Sequence, residues 1–212
     1  GIGVASLGHA NPALADALAA QARTLVHTSN LYYHELQGQV AVRLASLSGL
    51  PRAFFCNSGT EAIEGCLKFA RRFWHTAGET GRTQYVALEH AFHGRTFGSL
   101  SVTWDDHYRA PFAPLVPGVT FVSPDNPAAL TAAVSSSTAA IIVEAIQGEG
   151  GVRPLGPEFA AAIREAQQRT GVLLMADEVQ CGLGRTGHAF GFQRIGLQPD
   201  LVAVGKALGG GM

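Results

Sequence analysis

The chain is predicted to be an α/β protein, a mostly parallel sheet covered by helices on both faces. Three observations carry that expectation. Short apolar runs, suited to strands buried on both sides, alternate with longer stretches of helical periodicity. The 26 glycines and 10 prolines fall mainly between those runs and punctuate them. The conspicuous polar residues follow the runs, where the carboxyl ends of parallel strands share one crevice.

Taken in order, Asn11-Pro12 supplies an N-cap with proline at the first helical position, and Leu14, Ala17, Leu18 and Ala22 continue a helical stripe. Residues 37–47 form a second predicted helix, stopped by Ser48-Gly49 and Pro51. Residues 53–56 are a short strand candidate. Residues 60–72 then form a helix with Ile63, Leu67 and Ala70 on one face. Further strands are expected at 85–88, 119–122, 139–143, 172–176 and 201–204, with helices at 127–134 and 157–170, the latter closed by Gly171. Crossovers should be right-handed. The division expected is an N-terminal helical segment, residues 1–50, leading into a large domain, residues 51–212.

With 212 residues, 47% hydrophobic and 15% charged, and a net charge of -1, the chain can bury a large core. It lacks the basic footprint that binds nucleic acid or an anionic membrane. No apolar run approaches the ~20 residues that span a bilayer, and the start Gly1-Ile-Gly-Val-Ala-Ser-Leu-Gly-His9 has no basic leader region. A cytoplasmic protein is the expectation. Cys56, Cys66 and Cys181 show no C-x-x-C spacing, and His90 and His93 lack an acidic or cysteine partner at ligand spacing. Neither a disulfide framework nor a metal is assigned.

Four features bear chemistry. Lys206 ends the run Asp200-Leu-Val-Ala-Val-Gly-Lys206 and precedes Ala-Leu-Gly-Gly-Gly211. Alone it reads as a solvated lysine beside a glycine-rich turn. Held in a crevice, it is an amine that forms a Schiff base with a carbonyl compound. Ser58-Gly59-Thr60-Glu61 is either an ordinary capped helix or, through the Gly59 and Thr60 amides, two hydroxyls and the helix dipole, a phosphate cradle. Asp177, ending Val-Leu-Leu-Met-Ala, is either a buried carboxylate capping a turn or the partner of a protonated heterocyclic nitrogen. Phe92 suits a core position or a stacking platform. Together the four specify pyridoxal 5'-phosphate better than other common cofactors.

The motifs Asn57-Ser-Gly-Thr-Glu-Ala62, Phe92-His-Gly-Arg-Thr96, Glu144-Ala-Ile-Gln-Gly-Glu-Gly-Gly151, Asp177-Glu-Val-Gln-Cys-Gly-Leu-Gly-Arg-Thr-Gly187 and Gly205-Lys-Ala-Leu-Gly-Gly-Gly211 resemble the class III aminotransferases of the fold type I pyridoxal-phosphate superfamily. The resemblance covers nearly the whole chain and makes residues 51–212 a cofactor-binding large domain. It implies that Ser58, Gly59 and Thr60 hold the phosphate, Phe92 stacks on the ring, Asp177 pairs with its nitrogen, Gln180 meets its hydroxyl and Lys206 carries it. Arg95 would receive the substrate carboxylate, a task for a bidentate guanidinium. Glu149 would help the site accept two amino donors, and Tyr32 would contact substrate. Arg95 reads equally as an ion-pair residue and Glu149 as a loop charge.

Two positions depart from the family pattern, Ala145 for a usual proline and Cys181 for a usual threonine. Neither removes a chemical group. The chain is also expected to be about half of a full-length member, without the small domain. The resemblance implies amino-group transfer from an N-acylated ornithine-like donor to 2-oxoglutarate, so the partners are small amino and 2-oxo acids and, at full length, a second copy in a homodimer. Other class III chemistry remains open, namely ornithine- or GABA-type transamination, decarboxylation or an aminomutase, as does an inactive fragment serving as a binding or assembly module.

Overall fold

The computed structural model describes all residues, Gly1–Met212. It divides into two compact units, one made of Gly1–Phe54 with Lys206–Met212, the other of Phe55–Gly205.

The first unit holds helices α1 (Pro12–Thr24) and α2 (Glu35–Ser48). Asn11 Oδ1 accepts from the Leu14 amide at 3.1 Å, with Pro12 opening the helix as expected. Helix α2 stops where Gly49 turns into the left-handed region at φ 78°, a conformation glycine adopts without a Cβ penalty. In the same unit, Lys206–Leu208 forms one 3-10 turn in which Lys206 itself has φ 44°.

The second unit is built on helix α3 (Gly59–Thr76) and a five-stranded sheet. In chain order come β1 (Gln84–Leu88), α4 (Phe97–Ser101), α5 (Asp106–Arg109), β2 (Val119–Val122), α6 (Pro127–Ala133), β3 (Thr138–Val143), the small antiparallel pair β4 (Ile146–Gln147) and β5 (Arg153–Pro154), α7 (Pro157–Thr170), β6 (Leu173–Asp177), α8 (Gly191–Arg194) and β7 (Leu201–Ala203). The sheet order is β2-β1-β3-β6-β7, and every neighbouring pair is parallel.

Both faces of the central strands β1, β3 and β6 are dry, as their apolar runs require. Toward one face Tyr85, Ala87, Ala140, Ile142 and Met175 pack with Ile63, Leu67, Ala70 and Trp74 of α3. Val86, Leu88, Ile141, Val143 and Leu174 alternate with them, point to the other face and are equally buried. Each large apolar side chain so buried contributes about 1.5–3 kcal/mol. Polar atoms of two core aromatics reach backbone carbonyls, and a guanidinium covers one of the rings. Trp74 Nε1 donates to the Ala139 carbonyl at 2.8 Å, Tyr85 Oη donates to Leu67 O at 2.8 Å, and the Arg82 guanidinium lies 3.5 Å from the centre of the Trp74 ring.

One expected strand is absent. Residues 53–56 pair with no strand, and Phe54 is 62% exposed. Apolar content permits an extended segment, but a strand exists only through a hydrogen-bonded neighbour, and the sheet provides none for it. No helix is long and apolar enough to cross a membrane.

The topology selects where a ligand would sit. From β1 the chain proceeds to β2 on one side, and from β2 it returns across β1 to β3 on the other. The rule for open parallel sheets assigns the ligand crevice to the region beyond the carboxyl ends of β1 and β3, where successive connections leave in opposite directions.

Candidate active site

Residues that enter this crevice come from the loops after β1, β3 and β6 and from the start of α3. Ser58 caps α3, its Oγ accepting from the Glu61 amide at 3.3 Å. The Glu61 carboxylate reaches back to the Asn57 amide at 2.7 Å and also accepts from the Ser58 hydroxyl at 3.1 Å. The amides of Gly59 and Thr60 occupy helix positions that have no intrahelical acceptor, at the positive end of the helix dipole. Gly59 leaves room for nothing larger, since a Cβ there would lie 2.6 Å from Val179 Cγ1.

Thr60 Oγ1 is held by two hydroxyls that the sequence did not single out, Ser99 Oγ at 2.6 Å and Thr96 Oγ1 at 3.0 Å. Glu64, one turn further along α3, accepts from the Gly98 and Ser99 amides at 2.8 and 3.1 Å and so docks α4 against the helix.

Asp177 ends β6 at 5% exposure. Its Oδ1 accepts from the Val179 amide at 3.0 Å, and its Oδ2 lies 2.7 Å from His93 Nδ1. Burial alone would depress the His93 imidazole. The hydrogen bond to Asp177 and the charges of Asp177 and Glu144 outweigh it and leave His93 above its ordinary value. Asp177 therefore has an imidazole partner within the protein. A carboxylate has about four lone-pair sites, so both bonds leave Asp177 able to accept another donor.

Glu144, just past β3, is also 5% exposed. Its Oε1 accepts from the Phe92 amide at 3.1 Å and its Oε2 from the Gly148 amide at 3.3 Å. Burial pushes its carboxyl up to about 7, with Asp177 raising it further while His93 and the two amides pull it down. Glu178 accepts from the Gly191 and Phe192 amides, each at 2.8 Å, and burial pushes its carboxyl to about 7 as well.

Phe92 is half-buried and meets Tyr108 edge-on at 5.9 Å between ring centres. The exposed Arg95 guanidinium lies 4.6 Å from the Tyr108 ring centre and 5.9 Å from that of Phe92. The Gln180 carboxamide rests directly on the Cα of Gly148, occupying the space a Cβ would need. Glu149 is exposed. Gly205, which ends this unit, packs so closely that a Cβ there would lie 3.2 Å from Gly59 Cα and 3.2 Å from Val179 Cγ1.

Ser58, Gly59, Thr60, Phe92, Asp177 and Gln180 thus belong to one unit and are linked by short contacts. Lys206 and Tyr32 belong to the other, where Tyr32 is 71% exposed. Lys206 is joined by a single peptide bond to Gly205. A non-glycine residue at φ 44° is strained, and strain of this kind collects at functional positions.

Sequence reasoning missed His93 and Glu144. Both lie inside quoted motifs, and an unpaired buried carboxylate at Asp177 was itself a signal to look for a nearby cation. The thiols of Cys66 and Cys181, pushed by burial up to about 12, are poor nucleophiles. A separate cavity of about 370 Å³, lined by Ala145, Leu155, Arg164, Thr186 and Arg194 among others, includes none of the predicted site residues.

A family model described as Aminotransferase class-III matches residues 1–212. The chain is 47% identical over 212 residues to an acetylornithine aminotransferase of Methanosarcina acetivorans, an alignment covering 100% of this chain and 52% of that protein. To an acetylornithine aminotransferase of Archaeoglobus fulgidus it is also 47% identical, over 100% of this chain and 55% of the relative. Among solved structures it is similar to the ornithine aminotransferase of Toxoplasma gondii ME49, with TM-score 0.93, 31% identity and coverage of 100% of this chain and 51% of that one. An (S)-enantioselective omega-transaminase of Thermomicrobium roseum gives TM-score 0.92 and 30% identity, over 98% of this chain and 52% of that one. The chain spans about half the length of the curated relatives it matches.

Proposed function

We propose a function from the premise that the chain belongs to the class III aminotransferases: with pyridoxal 5'-phosphate, it forms the cofactor-binding part of an enzyme that moves an amino group from N-acetylornithine, or a related N-acylated or ω-amino donor, to 2-oxoglutarate. In this reading residues 51–212 are the large domain and residues 1–50 its helical lead-in. The acetylornithine aminotransferases at 47% identity support the donor. The whole enzyme is read as a cytoplasmic homodimer, which sedimentation of the active form would check.

The residues suit this cofactor by their donor chemistry. A phosphate dianion fits the free amides at the start of α3, and a protonated ring nitrogen fits a buried carboxylate with accepting capacity left. A flat ring fits beside a half-buried phenylalanine, and a ring hydroxyl fits a carboxamide seated on glycine. The observation that carries the proposal is that these groups stand at the start of α3 and in the segments that follow the parallel strands β1, β3 and β6, the end of the sheet at which such folds bind ligands.

When bound, the cofactor supplies a protonated pyridine ring able to accept the electrons of a carbon that loses its proton. Asp177, oriented by His93 and the Val179 amide, would hold the proton on the ring nitrogen. Ser58, Gly59 and Thr60 would anchor the phosphate, Phe92 would cover one ring face, and Gln180 would fix the hydroxyl. Lys206 Nζ would attach the cofactor at rest and carry the substrate's proton during transfer. Arg95 would take the substrate carboxylate, while Glu149 and Tyr32 would line the donor side.

The test is the visible absorption of the purified protein, expressed from its complete reading frame, with pyridoxal phosphate added. A band that disappears in Lys206→Ala, together with glutamate formed from acetylornithine and 2-oxoglutarate, is the expected result. A band unchanged by Lys206→Ala rejects the role of Lys206. Products other than glutamate reject transamination in favour of another class III reaction.

A further inference from the structure

Phe92 and Gln180, the proposed stacking ring and hydroxyl contact, are carried by different loops. Phe92 follows β1, while Gln180 follows β6 and rests on Gly148 of the loop after β3. Their relative placement depends on what ties the β1 loop to the β3 loop. Three contacts do so. Gln147 Nε2 donates to the Glu89 carbonyl at 2.8 Å, the Gly150 backbone lies so close to the His90 carbonyl that a Cβ would stand 2.5 Å from its oxygen, and the Glu144 carboxylate spans the amides of Phe92 and Gly148.

Only Glu144 grips the two residues that matter, the backbone of the ring-bearing residue itself and the backbone on which the carboxamide sits. We propose that Glu144 is a positioning residue for the cofactor: its ionised carboxylate, one oxygen on each amide, sets the spacing between the Phe92 ring and the Gln180 carboxamide. This rests on the cofactor reading given above and adds to it a residue that touches neither substrate nor cofactor.

The charge state matters because both partners are donors. A carboxylate accepts from two N–H groups at once, whereas a protonated carboxyl turns one oxygen into an O–H donor facing another donor. The titratable groups around Glu144 are His93 from the β1 loop, Asp177 at the end of β6 and Cys181 beyond it. Among these His93 favours the charged form, and Asp177 opposes it. The carboxyl lies near 7, so the grip should tighten as pH rises through neutrality.

The experiment uses the apoprotein expressed from its complete reading frame, labelled with 15N-phenylalanine, with the Phe92 amide assigned by its disappearance in Phe92→Tyr. In the wild type this amide should shift with a midpoint near 7, and in Glu144→Gln that titration should vanish. Glu144→Gln should also bind pyridoxal phosphate about tenfold more weakly, as expected for losing one hydrogen bond to a charged group. Glu144→Asp, which keeps the charge with a shorter reach, should recover part of that loss. A Phe92 amide that does not titrate, or Glu144→Gln with wild-type cofactor affinity, overturns the proposal. Wild-type protein that binds no pyridoxal phosphate rejects the cofactor reading as well, so the two failures are distinguishable.

Discussion

Substituting alanine for Gly59 separates packing from chemistry at the start of α3. The new Cβ would stand 2.6 Å from Val179 Cγ1 and 3.1 Å from Cγ2, so Val179 must retreat by about 0.8 Å to reach ordinary contact. Its own amide is bonded to Asp177 Oδ1 at 3.0 Å, and Gly205 presses on Val179 from another side. There is little slack. Overpacking of this kind costs typically about 1–3 kcal/mol, which in a domain of this size lowers the melting temperature by roughly 2–4 °C per kcal/mol. We expect Gly59→Ala to melt roughly 4–8 °C below the parent by calorimetry of the apoprotein. Val179→Ala removes both clashing methyls, so the double variant should melt above the value obtained by adding the two single losses. The coupling between the positions should then be about 1 kcal/mol or more in the stabilising direction. A Gly59→Ala protein that melts within 1 °C of the parent, or a double variant with strictly additive losses, would refute the reasoning.

At Gly148 the neighbour is the free end of a side chain, so Gly148→Ala should leave the melting temperature nearly unchanged while displacing Gln180 and weakening pyridoxal phosphate binding about tenfold. Equilibrium dialysis checks this, and parental affinity would contradict it. Trp74→Phe deletes the 2.8 Å bond to the Ala139 carbonyl and replaces the indole beneath Arg82 by a smaller, weaker cation–π partner, and should lower unfolding free energy in urea by about 2 kcal/mol. A loss under about 0.5 kcal/mol, the size typical of surface changes, would count against that account.

The folded-state carboxyl of Glu178 is raised to about 7 from an ordinary 4.5, so the folded protein binds more protons than the unfolded chain between those values. Its contribution to stability is fully present below pH 4.5 and is lost as pH rises through 7, by at most about 3 kcal/mol. Glu178→Gln should flatten the decline measured in urea between pH 5 and 7.5, but not abolish it, because Glu144 titrates with the same sign. An unchanged slope would show that Glu178 is ionised in the folded state across that range.

The central strands were legible because strands buried on both faces must be apolar at every position, as Ala139-Ala-Ile-Ile-Val143 is; the edge strand Val119-Thr-Phe-Val122 tolerates an exposed threonine. Ala53-Phe-Phe-Cys56 obeys the same rule and still forms no strand, since pairing is a property of the neighbour rather than of the segment. Helices as short as Gly191–Arg194 and Asp106–Arg109 contain about one turn, too little for periodicity to register. Residue type alone drew attention to Asp177 and to Ser58-Gly59-Thr60, which the fold puts at the end of β6 and the start of α3. It was illegible where a generic acid or imidazole acquires its role through backbone amides and neighbours distant in sequence. Glu144 reaches Phe92 across 52 positions and His93 reaches Asp177 across 84, and no local pattern encodes either meeting.

The left-handed backbone at Lys206 carries a cost in stability. Glycine would relax that torsion and, against its greater freedom in the unfolded chain, still return about 1 kcal/mol. Melting the apo Lys206→Gly variant would show the gain or its absence. A gain would show that the chain gives up stability to hold a side chain, rather than a glycine, at position 206.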